Sequence, residues 1–320
     1  MESVRMGVLG CADIARRRML PAFAACPATE VAAVASRNAE CARRVAAEYG
    51  ARAVHGYEEL LADPGVEAVY VPVPAALHAE WVEKALLSGK HVLAEKPLTT
   101  NAGTTAALFR LAESRGLALM ENVMFVHHSQ HARVVALIAE GAIGDLRSFQ
   151  AAFTVPRRPV DDIRYRPDLG GGALLDTGVY PVRAAATFLG PELKVVGAGL
   201  ASGAGFRVDT AGAVLLQSPD GISAQLTFGL DHAYRNSYEL QGSTGRITLD
   251  RVFTPPADHV PVAVVEGPSG SRRIPLLPDD QVANTVAVFA EAVRAGSAPY
   301  EEVLRQARLL DDVQRLAAQN

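Results

Sequence analysis

Residues 7–15 read Gly7-Val8-Leu9-Gly10-Cys11-Ala12-Asp13-Ile14-Ala15, an apolar run that stops at a glycine and passes straight into a segment of helical period. The run Val4–Leu9 has the length and composition of a buried strand, and glycine is the residue that tolerates the backbone conformations of a tight turn. In position this is the dinucleotide fingerprint G-x-G-x-x-G, with Gly10 in the first place and Ala12 and Ala15 in the second and third. Alanine in the third place still lets helix pack closely on strand; in the second it pushes a pyrophosphate slightly away from the backbone. The same letters suit a strand-to-helix turn that binds nothing, so the surrounding pattern has to decide.

Outward from that turn, apolar runs alternate with helical segments: helix Ile14–Ala25, strand Val31–Ala35, helix Ala39–Tyr49, a short helix Tyr57–Ala62, strand Ala68–Val71, helix Leu77–Leu87, strand His91–Ala94, helix Ala102–Arg115 and strand Ala118–Met120. The alternation predicts an α/β fold with a doubly wound parallel sheet over residues 1–120. In such a sheet the crevice lies at the carboxyl ends of the strands, where a helix start offers free amides to a phosphate.

After a helix at His131–Glu140 the pattern changes. Runs at Leu146–Thr154, Lys194–Leu200, Ala211–Gln217, Ile222–Leu230, Ser237–Gln241 and Arg246–Leu249 follow one another, with turn signals such as Pro219-Asp220-Gly221 between them. They predict an α+β second domain over residues 121–320, built on a mostly antiparallel open sheet. Helices Gln281–Ala295 and Glu301–Ala318 close the chain, the last expected to pack back on the first domain.

Composition narrows the function. A chain of 320 residues, 49% hydrophobic and 21% charged, is long enough for one large or two moderate globular domains. The net charge of −4 is interspersed, without the basic stripe that nucleic acid or an anionic membrane requires, which favours small-molecule chemistry. Cys11, Cys26 and Cys41 are odd in number and lack the spacing of a zinc or redox motif, as expected of free thiols in a reducing compartment. No apolar run has the length of a membrane span and the first residues lead directly into a strand, so a cytoplasmic location is expected.

Three strand ends carry candidate chemistry. Where an NAD site calls for an acid about twenty residues beyond the glycine turn, the sequence has Ser36-Arg37. An acid would repel a 2′-phosphate, whereas serine donates to it and arginine offers a planar charged fork, so NADP(H) is the expected cofactor. Pro72-Val73-Pro74-Ala75-Ala76-Leu77-His78 follows the strand Ala68–Val71. Val92-Leu93-Ala94-Glu95-Lys96-Pro97-Leu98 sets a lysine at the end of a central strand, in a chain where four of the 31 basic residues are lysine. Taken alone, Lys96 reads as an ordinary solvated side chain sooner than as a catalytic one.

These residues, with Gly170-Gly171-Gly172-Ala173-Leu174-Leu175-Asp176-Thr177-Gly178-Val179-Tyr180, resemble the Gfo/Idh/MocA oxidoreductases over nearly the whole chain. Within that family, Gly10-Cys11-Ala12-Asp13-Ile14-Ala15-Arg16-Arg17 and Tyr180 are most similar to the nucleotide-diphosphate-hexose 3-ketoreductases of actinomycete deoxysugar pathways. The resemblance implies NADPH-dependent reduction of the C3 ketone of a dTDP-3,4-diketo-2,6-dideoxyhexose, with Lys96 and Tyr180 as catalytic residues. It assigns Gly10, Cys11, Ala12, Asp13, Ile14, Ser36 and Arg37 to the cofactor's adenosine and phosphates. Pro72, Leu77, His78, Glu95, Lys96, Arg164 and Asp176 are expected along the rest of the cofactor, with Arg166 near it or the sugar. Arg18, Tyr234 and Arg251 are expected to join Lys96, Asp176 and Tyr180 around the nucleotide sugar, supplying cations and an aromatic shelf.

The family often has histidine where this chain has Tyr180, and a phenol of pKa about 10 suits holding or donating a proton in a reduction. Oxidation of a free sugar, inositol or dihydrodiol with NAD(P) is the alternative enzyme reading, and a cofactor-sensing regulator without turnover is the alternative outside enzymes. His127, His128 and His131 have no acidic or cysteine partner at ligand spacing, so no metal is expected. A homodimer or homotetramer through the open sheet face is the expected assembly.

Overall fold

In the computed structural model, which describes residues 2–319, the apolar runs of the first part hydrogen-bond into one parallel sheet. Its strands are β1 (Val4–Leu9), β2 (Thr29–Ser36), β3 (Arg52–His55), β4 (Ala68–Val71), β5 (His91–Glu95) and β6 (Leu119–Asn122), in the order β3-β2-β1-β4-β5-β6. Helices cover the sheet, so central strands are buried on both faces and read as unbroken apolar runs: Met6, Val8, Val69 and Tyr70 expose nothing. Edge strand β3 was not expected, because only Val54 of its residues is buried and so short a run shows no alternation.

Helices α1 (Leu20–Ala25), α2 (Ala39–Ala47), α3 (Tyr57–Leu61), α4 (Ala75–Leu87) and α5 (Ala102–Ser114) connect these strands. Asn38 and Asn101 cap α2 and α5, each side-chain oxygen accepting from an amide three residues on. The helix expected over Ile14–Ala25 is not uniform, since Ala15–Met19 form a wider π turn before α1. Such turns insert one residue into an α-helix and are frequent at functional sites.

By internal contacts the chain divides at Val123/Met124, with Val282–Val303 belonging to the first unit and residues from Leu304 onward to the second. The sequence expectation is a boundary at 120/121 with helix 301–318 packing back on the first domain; by internal contacts Val282–Val303, which holds all but the first residue of helix Gln281–Ala295, counts with the first unit. Phe109 of α5 stacks on Tyr300 at 4.8 Å, while Gln306 accepts from Arg183 within the second unit.

The second unit holds helices α6 (Ser129–Ala139) and α7 (Val179–Leu189) and an eight-stranded sheet. Its strands are β7 (Leu146–Thr154), β8 (Lys194–Ala201), β9 (Ala211–Gln217), β10 (Ser223–Gly229), β11 (Arg235–Gly242), β12 (Arg246–Asp250), β13 (Val262–Gly267) and β14 (Gly270–Pro275), ordered β14-β13-β12-β11-β7-β10-β9-β8. All neighbours are antiparallel except β7 and β10, which run parallel. Alternating burial along β9 and β10 marks one covered face. The hairpin β13–β14 was not expected, and β14 is mostly exposed.

Phe149, Phe188, Tyr238 and His131 pack in the core of this unit. His131 Nδ1 accepts from the Tyr238 hydroxyl at 3.0 Å and Nε2 donates to the Val252 carbonyl at 3.1 Å, a pairing that suits the neutral ring. Burial accordingly pushes its pKa down from 6.5 to about 3. Below pH 6.5 the unfolded chain binds a proton that the folded chain refuses, so stability falls with pH by up to about 1.4 kcal/mol per unit until about pH 3. Urea unfolding at pH 7 and pH 5 should show that His131→Gln is weaker at pH 7 yet loses about 2 kcal/mol less than the native protein on acidification. An unchanged pH dependence would contradict this.

Candidate active site

Strand order in the first unit reverses between β1 and β4, which places a crevice outside the carboxyl ends of the strands. The candidate cofactor residues of this unit all leave strands at that end. Gly10 has φ 119°, and a side chain there would meet the Tyr57 hydroxyl, its Cβ lying 3.1 Å away. The helix begins at once, Arg16 donating to the Ala12 carbonyl. Asp13 points to solvent and pairs loosely with Arg17 at 3.7 Å, so Ala12, Asp13 and Ile14 offer backbone amides rather than side chains.

Ser36 is buried at the end of β2, its Oγ accepting from the Asn38 amide at 3.1 Å; Arg37 beside it is exposed. Tyr57 is a residue that sequence reasoning missed. Its ring packs edge-on against Trp81 at 4.9 Å and its hydroxyl approaches both Gly10 and Arg37. Burial raises the Tyr57 pKa, while the Arg37 guanidinium pulls the other way. The signal was faint: a tyrosine at the start of a short helix after a glycine. This glycine turn, with helix amides above it and a cation with no acid at the ribose end, fits NADP(H).

Cys11, Cys26 and Cys41 are free and half-buried. Burial pushes the Cys11 thiol up to about 12, and the neighbouring Cys41 adds to the effect. A thiol held protonated is a poor nucleophile, because the thiolate is the reactive form. Cys11 should resist iodoacetamide at pH 7 and Cys11→Ala should retain turnover; rapid labelling, followed by mass spectrometry, would show otherwise.

Behind Lys96 stands a set of polar residues. Glu95 Oε1 accepts from the Tyr70 hydroxyl and the Asn122 amide, both at 2.6 Å, and buried Glu121 accepts from the Leu98 amide at 2.8 Å. Glu95 thus holds the strand end, and Lys96 itself is partly exposed. Pro72 is buried and Leu77 partly so. His78 differs from expectation. It is 1% exposed and both ring nitrogens face backbone carbonyls, so the ring has no nitrogen left for a cofactor.

In the second unit the glycine run folds tightly. A Cβ on Gly171 would lie 2.5 Å from the Arg164 carbonyl oxygen, too close for any side chain, and Gly172 has φ 122°. Asp209, another residue without a sequence signal, accepts from the Leu174 amide at 2.7 Å and anchors the π turn Leu174–Gly178 that leads into α7. Asp176 and Tyr180 lie one turn apart there. Arg164 donates from Nε to Asp176 at 2.8 Å and from Nη1 to Asp162 at 3.1 Å, so its charge is balanced within the unit. Arg166 pairs with Asp168, both exposed. The Tyr180 ring is set among Phe125, Phe153 and Phe253 at 6.0, 4.9 and 5.7 Å.

Arg18 is exposed at the start of the first helix. Tyr234 and Arg251 are joined through Asn236, whose Nδ2 donates to the Tyr234 hydroxyl and whose backbone carbonyl accepts from the Arg251 amide. His128 caps α6 and His131 lies in the core, and no group of three metal-ligating side chains occurs among the described residues. No described helix is long and apolar enough to cross a membrane.

Residues 4–123 match the oxidoreductase family with an NAD-binding Rossmann fold, and residues 131–248 match the GFO/IDH/MocA C-terminal domain. A dTDP-3,4-didehydro-2,6-dideoxy-alpha-D-glucose 3-reductase from Actinomadura kijaniata is 52% identical, covering 97% of this chain and 94% of the relative. A reductase of the same name from Streptomyces violaceoruber is 53% identical over 99% and 96%. The crystal structure of KijD10, a 3-ketoreductase from Actinomadura kijaniata in complex with NADP and TDP-benzene, superposes with a TM-score of 0.97 at 52% identity, covering 98% of each chain. With both domain models matched and near-complete coverage at this identity, the chain belongs to the GFO/IDH/MocA oxidoreductase family.

Proposed function

We propose that the protein reduces the C3 ketone of a dTDP-linked 3,4-diketo-2,6-dideoxyhexose to the 4-keto sugar, using NADPH. The observation that carries this is Lys96 at the carboxyl end of β5, in the same crevice as the glycine turn and the Ser36-Arg37 pair, in a chain half identical to reductases named for the reaction. NADPH, when bound, supplies the hydride. Lys96 holds its ammonium toward the C3 oxygen, stabilising the negative charge that develops there. Tyr180, fixed by its aromatic neighbours, donates a directional hydrogen bond to the same oxygen, and one of the two groups delivers the proton. Asp176, tied to Arg164, sets the polar wall beside Tyr180. Arg18, Tyr234 and Arg251 take the nucleotide and diphosphate.

The enzyme acts in the cytoplasm as a homodimer or homotetramer joined through the open face of the second sheet. NADPH oxidation against a panel of enzymatically generated dTDP-keto sugars, with NADP+ reduction by free sugars, inositols and dihydrodiols alongside, tests the function. Consumption of NADPH by the 3-keto nucleotide sugar supports it. Turnover of a free polyol with none of the keto sugar would favour the dehydrogenase reading, and tight cofactor binding with no turnover the regulator.

A further inference from the structure

Two buried histidines, His131 and His78, face opposite kinds of partner. His131 sits between a hydroxyl that donates to it and a carbonyl that accepts, which the neutral ring satisfies. His78, in the first turn of α4, has Nδ1 2.7 Å from the Pro97 carbonyl oxygen and Nε2 2.7 Å from that of Val73. Carbonyls only accept. A neutral imidazole would turn the lone pair of one nitrogen onto an oxygen lone pair, in a site 1% exposed where water cannot intervene.

We infer that His78 is a positioning residue: as an imidazolium it ties the carbonyl of Pro97 to that of Val73 and so fixes the loop that presents Lys96. The inference rests on the catalytic role proposed for that lysine. Burial, the largest influence on the ring, draws it toward the neutral form, and the Lys96 ammonium acts in the same direction. The two carbonyls and the Glu95 carboxylate oppose them. The hydrogen-bond geometry decides for the charged ring, since two short charge-assisted bonds replace one bond and one repulsion. The Val73 carbonyl belongs to the segment leaving β4 and the Pro97 carbonyl to the segment leaving β5, so the ring crosslinks two neighbouring strand ends without touching the reacting atoms.

Single-turnover NADPH oxidation and NADPH affinity in four proteins, native, His78→Gln, Lys96→Ala and the double variant, test this. His78→Gln should slow the chemical step about 10- to 100-fold, with NADPH Kd changed by less than about twofold, and should slow Lys96→Ala no further. An equal slowing in both backgrounds would mean that His78 supports the fold generally, and would overturn the inference. A Lys96→Ala enzyme as fast as the native one would instead refute the catalytic reading, so the two failures are distinguishable. Nitrogen-15 NMR of histidine-labelled native protein, with His78 assigned through His78→Asn, gives a readout that needs no active variant. Protons on both ring nitrogens are expected near neutral pH, and a ring nitrogen without one would overturn the inference.

Discussion

Lys96→Ala should lose about 10²- to 10³-fold in the hydride-transfer step while NADPH binding changes little, because it removes one preorganised donor from the oxygen that becomes an alkoxide. An ammonium stabilises that oxygen throughout the reaction coordinate, whereas a phenol contributes one directional bond, so Tyr180→Phe should lose less. Its ring contacts with Phe125, Phe153 and Phe253 survive the substitution, which makes it a clean removal of the hydroxyl. In the proposed mechanism both groups address one atom, and the double variant should then lose less than the product of the single losses. Single-turnover NADPH oxidation with the 3-keto sugar separates these steps from product release. A Lys96→Ala chemical step equal to the native one would sink the mechanism and leave the fold and family untouched.

Arg37→Asp should reverse the cofactor preference. In the native protein an exposed residue, Arg37, follows buried Ser36 at the end of β2, and the next residue is Asn38 rather than an acid. Reversing the charge removes a charge-assisted pair with the 2′-phosphate and adds repulsion, for an expected loss of about 10²-fold or more in NADPH affinity. The new carboxylate can accept from both ribose hydroxyls, so NADH should gain about tenfold. Since Arg37 is exposed, the native preference should also weaken as salt is raised. Fluorescence titration with both cofactors at two ionic strengths measures all of this, and equal native affinities for NADPH and NADH would remove the argument.

The glycine turn, Ser36-Arg37 and Lys96 were legible because each is defined by a local event: an apolar run ends, and the next residues must lie at the carboxyl edge of a sheet. Apolar periodicity reports which side of a segment meets other apolar groups, so it located the central strands and the amphipathic helices. It failed at edges, where β3 and β14 are mostly exposed and bury too little to leave a pattern.

What the chain determined by itself, then, was the order of its elements, the parallel sheet of the first unit, and the placing of a cation directly after β2. Only the tertiary structure decided what the polar atoms do. Glu95 meets Tyr70 and Asn122, His78 meets Pro97 and Val73, and the Leu174 amide meets Asp209, pairs separated by up to 35 residues along the chain. A hydrogen bond needs its two atoms within about 3 Å at a set angle. Segment periodicity carries no information on that distance, so the residues expected to touch the cofactor and those that hold them in place could be told apart only once the chain was folded.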